Sequence, residues 1–263
     1  MIPRNVYQIY LSGVLPEKLS FSREVMQNEN PDWKFHLFDK DDIYSFVGMK
    51  FGRGMVAEID KIRPEYAAAR VDLLRYLLIY ATGGVYLDIK SRFVGRISSK
   101  ILPDDEYILA QWRNGIDAEH AGFGLHRDLR NVPGGEFQQW HVIARPSHPF
   151  LAAVIDLVLR NIREYSTWSF GVGRIGVQRV TGPIAYTKAI YPLLAAHKHR
   201  QLRNEQEIGL CYSIGDGYNH ISHFKNHYSL SAKPIIHLSK SRMMSAHVYA
   251  GLRRVKDALR YLR

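Results

Sequence analysis

Two acids, an arginine, a tyrosine and a lysine crowd one stretch of this chain, ARVDLLRYLLIYATGGVYLDIK, which runs from Ala69 to Lys90. Asp72 and Arg75 are three apart, so a helix carries both on one face. Asp88 ends a short apolar run after Gly83-Gly84, with Tyr86 two residues before it. A carboxylate and a guanidinium in fixed geometry suit a ligand that offers only hydroxyls, because each makes several directed hydrogen bonds. The competing reading is structural. Spacing alone favours an i,i+3 ion pair that fills a polar gap in a core. The adjacent Gly-Gly-x-Tyr-x-Asp run tips the balance toward ligand contact, because open α/β sheets bind ligands at the carboxyl ends of their strands. Asp88 on its own also fits a turn-starting acid.

The elements that hold these residues can be read from pattern. Val6 to Leu11 and Trp33 to Phe38 are β-prone. Pro16 to Gln27 reads as a helix between them, and Asp39 caps a short helix from Lys40 to Val47. Met55 to Ile62 continues the helical pattern. Pro64 to Tyr80 is apolar nearly all round and therefore buried on several sides. Val85 to Asp88 follows as a strand. Tyr107 to Trp112 and Gln139 to Ala144 read as strands flanking Arg113 to Gly135, a long loop without periodicity. A helix from Pro149 to about Tyr165, a glycine-rich basic stretch from Phe170 to Val180 and a helix opened by Thr181-Gly182-Pro183 come next. Ile208 to Ile214 and Pro234 to Leu238 read as late strands, and a helix from about Ala246 closes the chain. Early strands alternate with helices, which predicts an α/β fold with a mainly parallel sheet. No linker or internal repeat divides residues 1–263, so one domain is expected.

Arg70-x-Asp72-x-x-Arg75-Tyr76, followed by Leu77-x-x-Tyr80-x-x-Gly83-Gly84-x-Tyr86-x-Asp88, resembles the DXD-containing glycosyltransferase family 32. Ile2-Pro3 with Gln8-Ile9-Tyr10, Asn30-Pro31-Asp32-Trp33, Pro146-Ser147-His148-Pro149 and Thr181-Gly182-Pro183 are similar to further segments of it. The resemblance covers roughly residues 2–190. It implies a GT-A-like nucleotide-sugar-binding fold with added C-terminal helices. It also implies a nucleotide-diphosphate sugar donor and a retaining hexose transfer to a glycan or lipid-linked acceptor. It places Asp72, Arg75 and Tyr86 at the donor sugar, Tyr10 at the nucleotide and Asp88 at nucleotide, sugar and metal shell. Tyr10 fits a core position equally well.

Lys90 departs from the pattern, which has a second acid there to hold a divalent cation, manganese or magnesium. An ammonium ligates no metal but neutralises phosphate charge. Three outcomes stay open. A cation binds through Asp88 and a late residue such as His237; Lys90 partly replaces the cation; or the site binds nucleotide sugar without transfer. Survival of Asp72, Arg75 and Asp88 argues for an active enzyme with Asp88 and Lys90 as its catalytic groups.

The chain has 263 residues, a formal net charge of +11 and one cysteine, Cys211. The excess of Lys and Arg points to an anionic partner. The lone cysteine fits a reducing compartment. No window has the composition of a signal peptide or membrane span, so a cytoplasmic protein is expected. The tail from 246 to 263 sets Val248, Leu252, Val255, Leu259 and Leu262 among Arg253, Arg254, Lys256, Arg260 and Arg263. A helix of that pattern either docks on the domain or lies on an anionic membrane surface. His120, His126 and His141, and the group His220, His223 and His227, read as surface or acceptor-loop residues rather than a metal site. Charge alone suggests a nucleic-acid-binding protein as a rival. Its basic residues are not interleaved with aromatics as stacking platforms require, so no nucleic acid is expected.

Overall fold

The computed structural model describes residues 1–214, 229 and 231–261, with side chains to 252. His220, His223 and His227 and the far end of the tail stripe lie outside the described residues.

The strands are β1 (Asn5–Ile9), β2 (Lys34–Phe38), β3 (Gly84–Leu87), β4 (Arg92–Phe93), β5 (Tyr107–Leu109), β6 (His141–Ala144), β7 (Arg200–Gln201) and β8 (Leu210–Cys211). The helices are α1 (Glu17–Glu29), α2 (Lys40–Phe51), α3 (Arg53–Asp60), α4 (Ala67–Thr82), α5 (Pro149–Glu164), α6 (Thr167–Phe170), α7 (Gly173–Val180), α8 (Pro183–Ile190) and α9 (Lys240–Tyr261). One sheet runs β2-β1-β3-β6-β5-β7, and β4 pairs with β8 in a small second sheet. β1 pairs in parallel with β2 and β3, and β5 with β7; β6 alone runs antiparallel to its neighbours β3 and β5. The sheet is therefore mainly parallel, as the alternation of elements predicts.

Both faces of the sheet are covered, and the strands show it by period two. Tyr7, Ile9, Tyr86, Tyr107, Leu109, Val142 and Ala144 enter the core built by α2 to α5 and α8. Val6, Val85, Leu87, Ile108 and Ile143 enter a second core with Met26 of α1. α4 lies in the first core and buries Asp72 and Arg75 along with its leucines. Gly83 stops it by donating to the Ile79 carbonyl at 2.8 Å. Gly84 then opens β3 with φ +103°, and a Cβ there would lie 2.7 Å from the Asn5 carbonyl oxygen. Only glycine lets the backbone take this left-handed step so close to β1.

Several sequence expectations change. Pro234 to Leu238 is not a strand: Ile236 makes a single bridge to Ile62. Phe170 to Val180, read only as glycine-rich and basic, holds the last residue of α6 and all of α7. Its glycines depress helix propensity, but Gly176 is needed for packing, since a Cβ there would meet Ile235 Cδ1 at 2.6 Å. α9 begins six residues earlier than the sequence indicates and docks by its first turns. Ala246 is buried, and the Trp168 indole donates to Ser245 at 2.9 Å. Met244, Val248 and Leu252 are exposed on the same helix. Among the described residues no helix is long and apolar enough to cross a membrane.

Candidate active site

β3 and α4 converge as the sequence predicts. Asp88, directly after β3, is tied down by its backbone: its N–H donates to the Trp140 carbonyl at 2.8 Å and its carbonyl accepts from Ser91 at 2.8 Å. Gln8, at the end of β1, also reaches that carbonyl, at 3.5 Å. The Arg75 guanidinium joins the two acids. It donates to Asp72 Oδ1 at 2.6 Å, Asp88 Oδ1 at 3.0 Å and the Gln139 carbonyl at 2.8 Å. Its carbon also sits 5.0 Å from the centre of the Tyr86 ring. The Tyr86 hydroxyl donates to the same Asp88 Oδ1 at 3.1 Å. Asp88 Oδ1 is thereby committed to the protein. Oδ2 makes no hydrogen bond among the described residues, and the side chain keeps 26% of its surface.

Asp72 is enclosed more completely. Beyond Arg75, its Oδ1 accepts from Gln139 Nε2 at 3.2 Å and its Oδ2 from the Thr181 hydroxyl at 2.8 Å. Burial pushes the Asp72 carboxyl up from its ordinary value, against the pull of Arg75, Thr181 and Gln139. Burial also works against the Arg75 guanidinium. Asp88, then Tyr86 and Asp72, outweigh it and hold the group above its ordinary value, fully charged. Tyr76 completes the support, its hydroxyl 2.7 Å from Gln139 Oε1.

These residues line a cleft of about 460 Å³. Asp72, Arg75 and Asp88 share it with Lys90, with Arg174 and Gln178 of α7, and with Trp112, His126 and Glu136 of the central loop and its edges. Lys90 Nζ donates to the Tyr212 hydroxyl at 3.0 Å and lies 4.2 Å from the centre of that ring. The Lys90 carbonyl accepts from Ile214 at 3.0 Å and Ser91 donates to the Tyr212 carbonyl at 2.7 Å, so the segment after β8 clasps the turn after β3. Arg174 is exposed and makes no ion pair among the described residues.

Residues 16–109 match the family model described as a glycosyltransferase sugar-binding region containing a DXD motif. The matched segment includes the Asp72, Arg75 and Asp88 constellation of the cleft. Similarity to curated proteins extends over more of the chain. The chain is 22% identical over 207 residues to an initiation-specific α-1,6-mannosyltransferase of Candida albicans, covering 72% of this chain and 52% of that one. It is 22% identical over 177 residues to an inositol phosphoceramide mannosyltransferase of Schizosaccharomyces pombe, covering 64% and 48%. The chain thus spans about half the length of the curated relatives it matches. Among solved structures, the UDP-bound glycosyltransferase domain of the YGT toxin superposes with a TM-score of 0.53 at 10% identity, covering 83% of this chain and 82% of that one. The PaToxG glycosyltransferase gives 0.52 at 16% identity, with 74% and 70% covered. The chain therefore has the GT-A fold of those domains.

Two sequence expectations do not join the cleft. His237 lines a separate cavity with Lys61, Ile162 and Arg163, and its backbone N–H donates to the Lys61 carbonyl. The Ile62–Ile236 bridge anchors it there, so it is not brought to Asp88 as a metal ligand. Tyr10 follows β1, half-buried, with its N–H on the Phe38 carbonyl, and is not among the residues that line the cleft. Among the described residues no three His, Cys, Asp or Glu side chains come together as a metal would need. With Lys90 in place of the second acid, the described donor set around Asp88 does not fit a divalent cation.

The histidines also divide. His141 is buried on β6, and burial pulls its imidazole down to about 3. His120 is buried against Trp112. Neither is at the surface, though His120 lies in the central loop as the sequence suggests; only His126 of the three lines the cleft. Gln139, Thr181, Trp112, Glu136 and Arg174 escaped the sequence reading as site residues. Thr181 carried a signal, the Thr-Gly-Pro helix start; the others come from far along the chain and had none.

Proposed function

We propose that this protein transfers a hexose, with retention, from a nucleotide-diphosphate sugar to a glycan or lipid-linked acceptor. The observation that carries the reading is the single cleft in which Asp72, Arg75 and Asp88 meet, with Asp88 Oδ2 left for a ligand. Asp88 Oδ2 takes a sugar or ribose hydroxyl. Arg75 is a positioning residue for both acids, since most of its donors are already engaged. The names of the fungal relatives make mannose the first sugar to try.

The barrier in such a transfer lies in parting the anomeric carbon from the diphosphate, so the leaving oxygen needs positive charge. Arg75 is taken up by the two acids, so on this reading Lys90 and Arg174, the other Lys and Arg side chains lining the cleft among the described residues, supply it. DXD-type glycosyltransferases commonly use a divalent cation, and the test separates the two sources of charge. Nucleotide release from GDP-mannose, UDP-glucose and UDP-galactose is measured with manganese, magnesium or chelator. Turnover persists in chelator and falls about 100-fold or more in Lys90→Ala, the order expected for losing a charge at the leaving group. Complete loss in chelator rejects Lys90 as the replacement. Tight donor binding without nucleotide release favours the second reading, a nucleotide-sugar-binding protein without transfer.

A further inference from the structure

The cleft contains a constellation that sugar binding does not use. Glu136 sits where the central loop rejoins the sheet, its side chain only 10% exposed. Its Oε1 accepts from the Trp112 indole N–H at 2.8 Å, and its Oε2 lies 2.6 Å from His126 Nε2. The loop backbone is shaped around this contact. Glu136 N–H donates to the Gly124 carbonyl at 3.0 Å. Gly124 has φ +72°, and a Cβ there would lie 2.6 Å from Glu136 Cγ and 3.0 Å from Trp112 Cδ1. A carboxylate accepting at Nε2 fixes the hydrogen on that nitrogen and leaves Nδ1 with a free lone pair. Nδ1 makes no hydrogen bond among the described residues, and the imidazole lines the same cleft as Asp72 and Asp88.

We infer that His126, oriented by Glu136, is the general base that takes the proton of the acceptor hydroxyl. The inference rests on the glycosyl-transfer reading above. The acceptor oxygen forms its bond to the anomeric carbon on the face from which the diphosphate departs, as retention requires, and its proton passes to His126 Nδ1. The bond from that carbon to the phosphate oxygen breaks, and its electron pair leaves with the nucleoside diphosphate. Trp112 and Phe123 line the same cleft, and Phe123 is an exposed aromatic surface suited to the C–H side of a sugar, so the acceptor is a carbohydrate hydroxyl.

The test uses the full chain, whichever of GDP-mannose, UDP-glucose and UDP-galactose it consumes fastest, and methyl α-D-mannopyranoside as acceptor probe. His126→Ala and His126→Gln keep donor affinity within about threefold and lose transfer by about 10²- to 10⁴-fold, the usual contribution of a positioned base. The Gln variant preserves an N–H toward Glu136 and so keeps the loop folded, yet has no basic nitrogen. Azide is already an anion and needs no base. In both variants it forms glycosyl azide faster than the sugar probe is glycosylated. Wild-type transfer rates in either variant overturn the inference, as does parallel loss of the azide reaction or of donor affinity. A wild-type chain that consumes none of the donors overturns the transfer reading and this inference together, which tells that failure apart from the others.

Discussion

Asp88 divides its carboxylate between protein and cleft: Oδ1 accepts from Arg75 and Tyr86, while Oδ2 stays available. That division depends on the planar fork of Arg75, which serves two acids and a carbonyl at once. A lysine keeps the charge but offers a point donor on a shorter reach. Arg75→Lys is expected to leave at least one buried acceptor unpaired and to lower stability by about 2 to 3 kcal/mol, read as a lower denaturation midpoint. Donor affinity falls with it, because Asp88 is no longer held. An unchanged midpoint would show that the fork is dispensable. The Asp72–Arg75 pair was legible from its i,i+3 spacing, and the end-of-strand acid from its Gly-Gly-x-Tyr-x-Asp setting. That one guanidinium reaches the strand end and the Gln139 carbonyl was not, because sequence periodicity carries no information on contacts across 13 and 64 residues.

Among elements, the register of β3 beside β1 sets the cleft, because Gln8 and Asp88 leave the ends of these two strands. Gly84 permits that approach. Gly84→Ala places a Cβ 2.7 Å from the Asn5 carbonyl at φ +103°, so strand and turn must shift. We expect a loss of about 1 to 3 kcal/mol in chemical denaturation, the range for strained backbone positions. Gly54→Ala in α3 is the comparison. Nothing lies within 4 Å of a Cβ there, so the change is neutral or stabilising by up to about 1 kcal/mol. Equal effects at both sites would refute the argument for Gly84. The strands and helices up to α4 were legible because their apolar periods are clean. α7 was hidden by glycines that serve packing, and the supposed strand at 234–238 is an apolar segment with one bridging partner. The tail was legible as a helix and in part as a docked one, with Ala246 buried.

Over the whole molecule, the formal charge of +11 is matched by a cleft that gathers Lys90 and Arg174 beside Asp72 and Asp88, a distribution suited to an anionic ligand. The likeness to GT-A toxin domains establishes the fold, and the fold puts the cleft at the carboxyl ends of β1 and β3. The central claim is that Asp72, Arg75 and Asp88 receive a nucleotide-activated hexose. It is tested most directly by the thermal midpoint of wild type and Asp88→Asn across a panel of nucleotide sugars and the matching nucleoside diphosphates. A ligand of the folded state raises the midpoint by mass action. The account predicts that one nucleotide sugar raises the wild-type midpoint saturably, more than its nucleoside diphosphate does, and that Asp88→Asn abolishes the difference. A panel in which no nucleotide sugar moves the wild type, or in which Asp88→Asn responds as the wild type does, would contradict it.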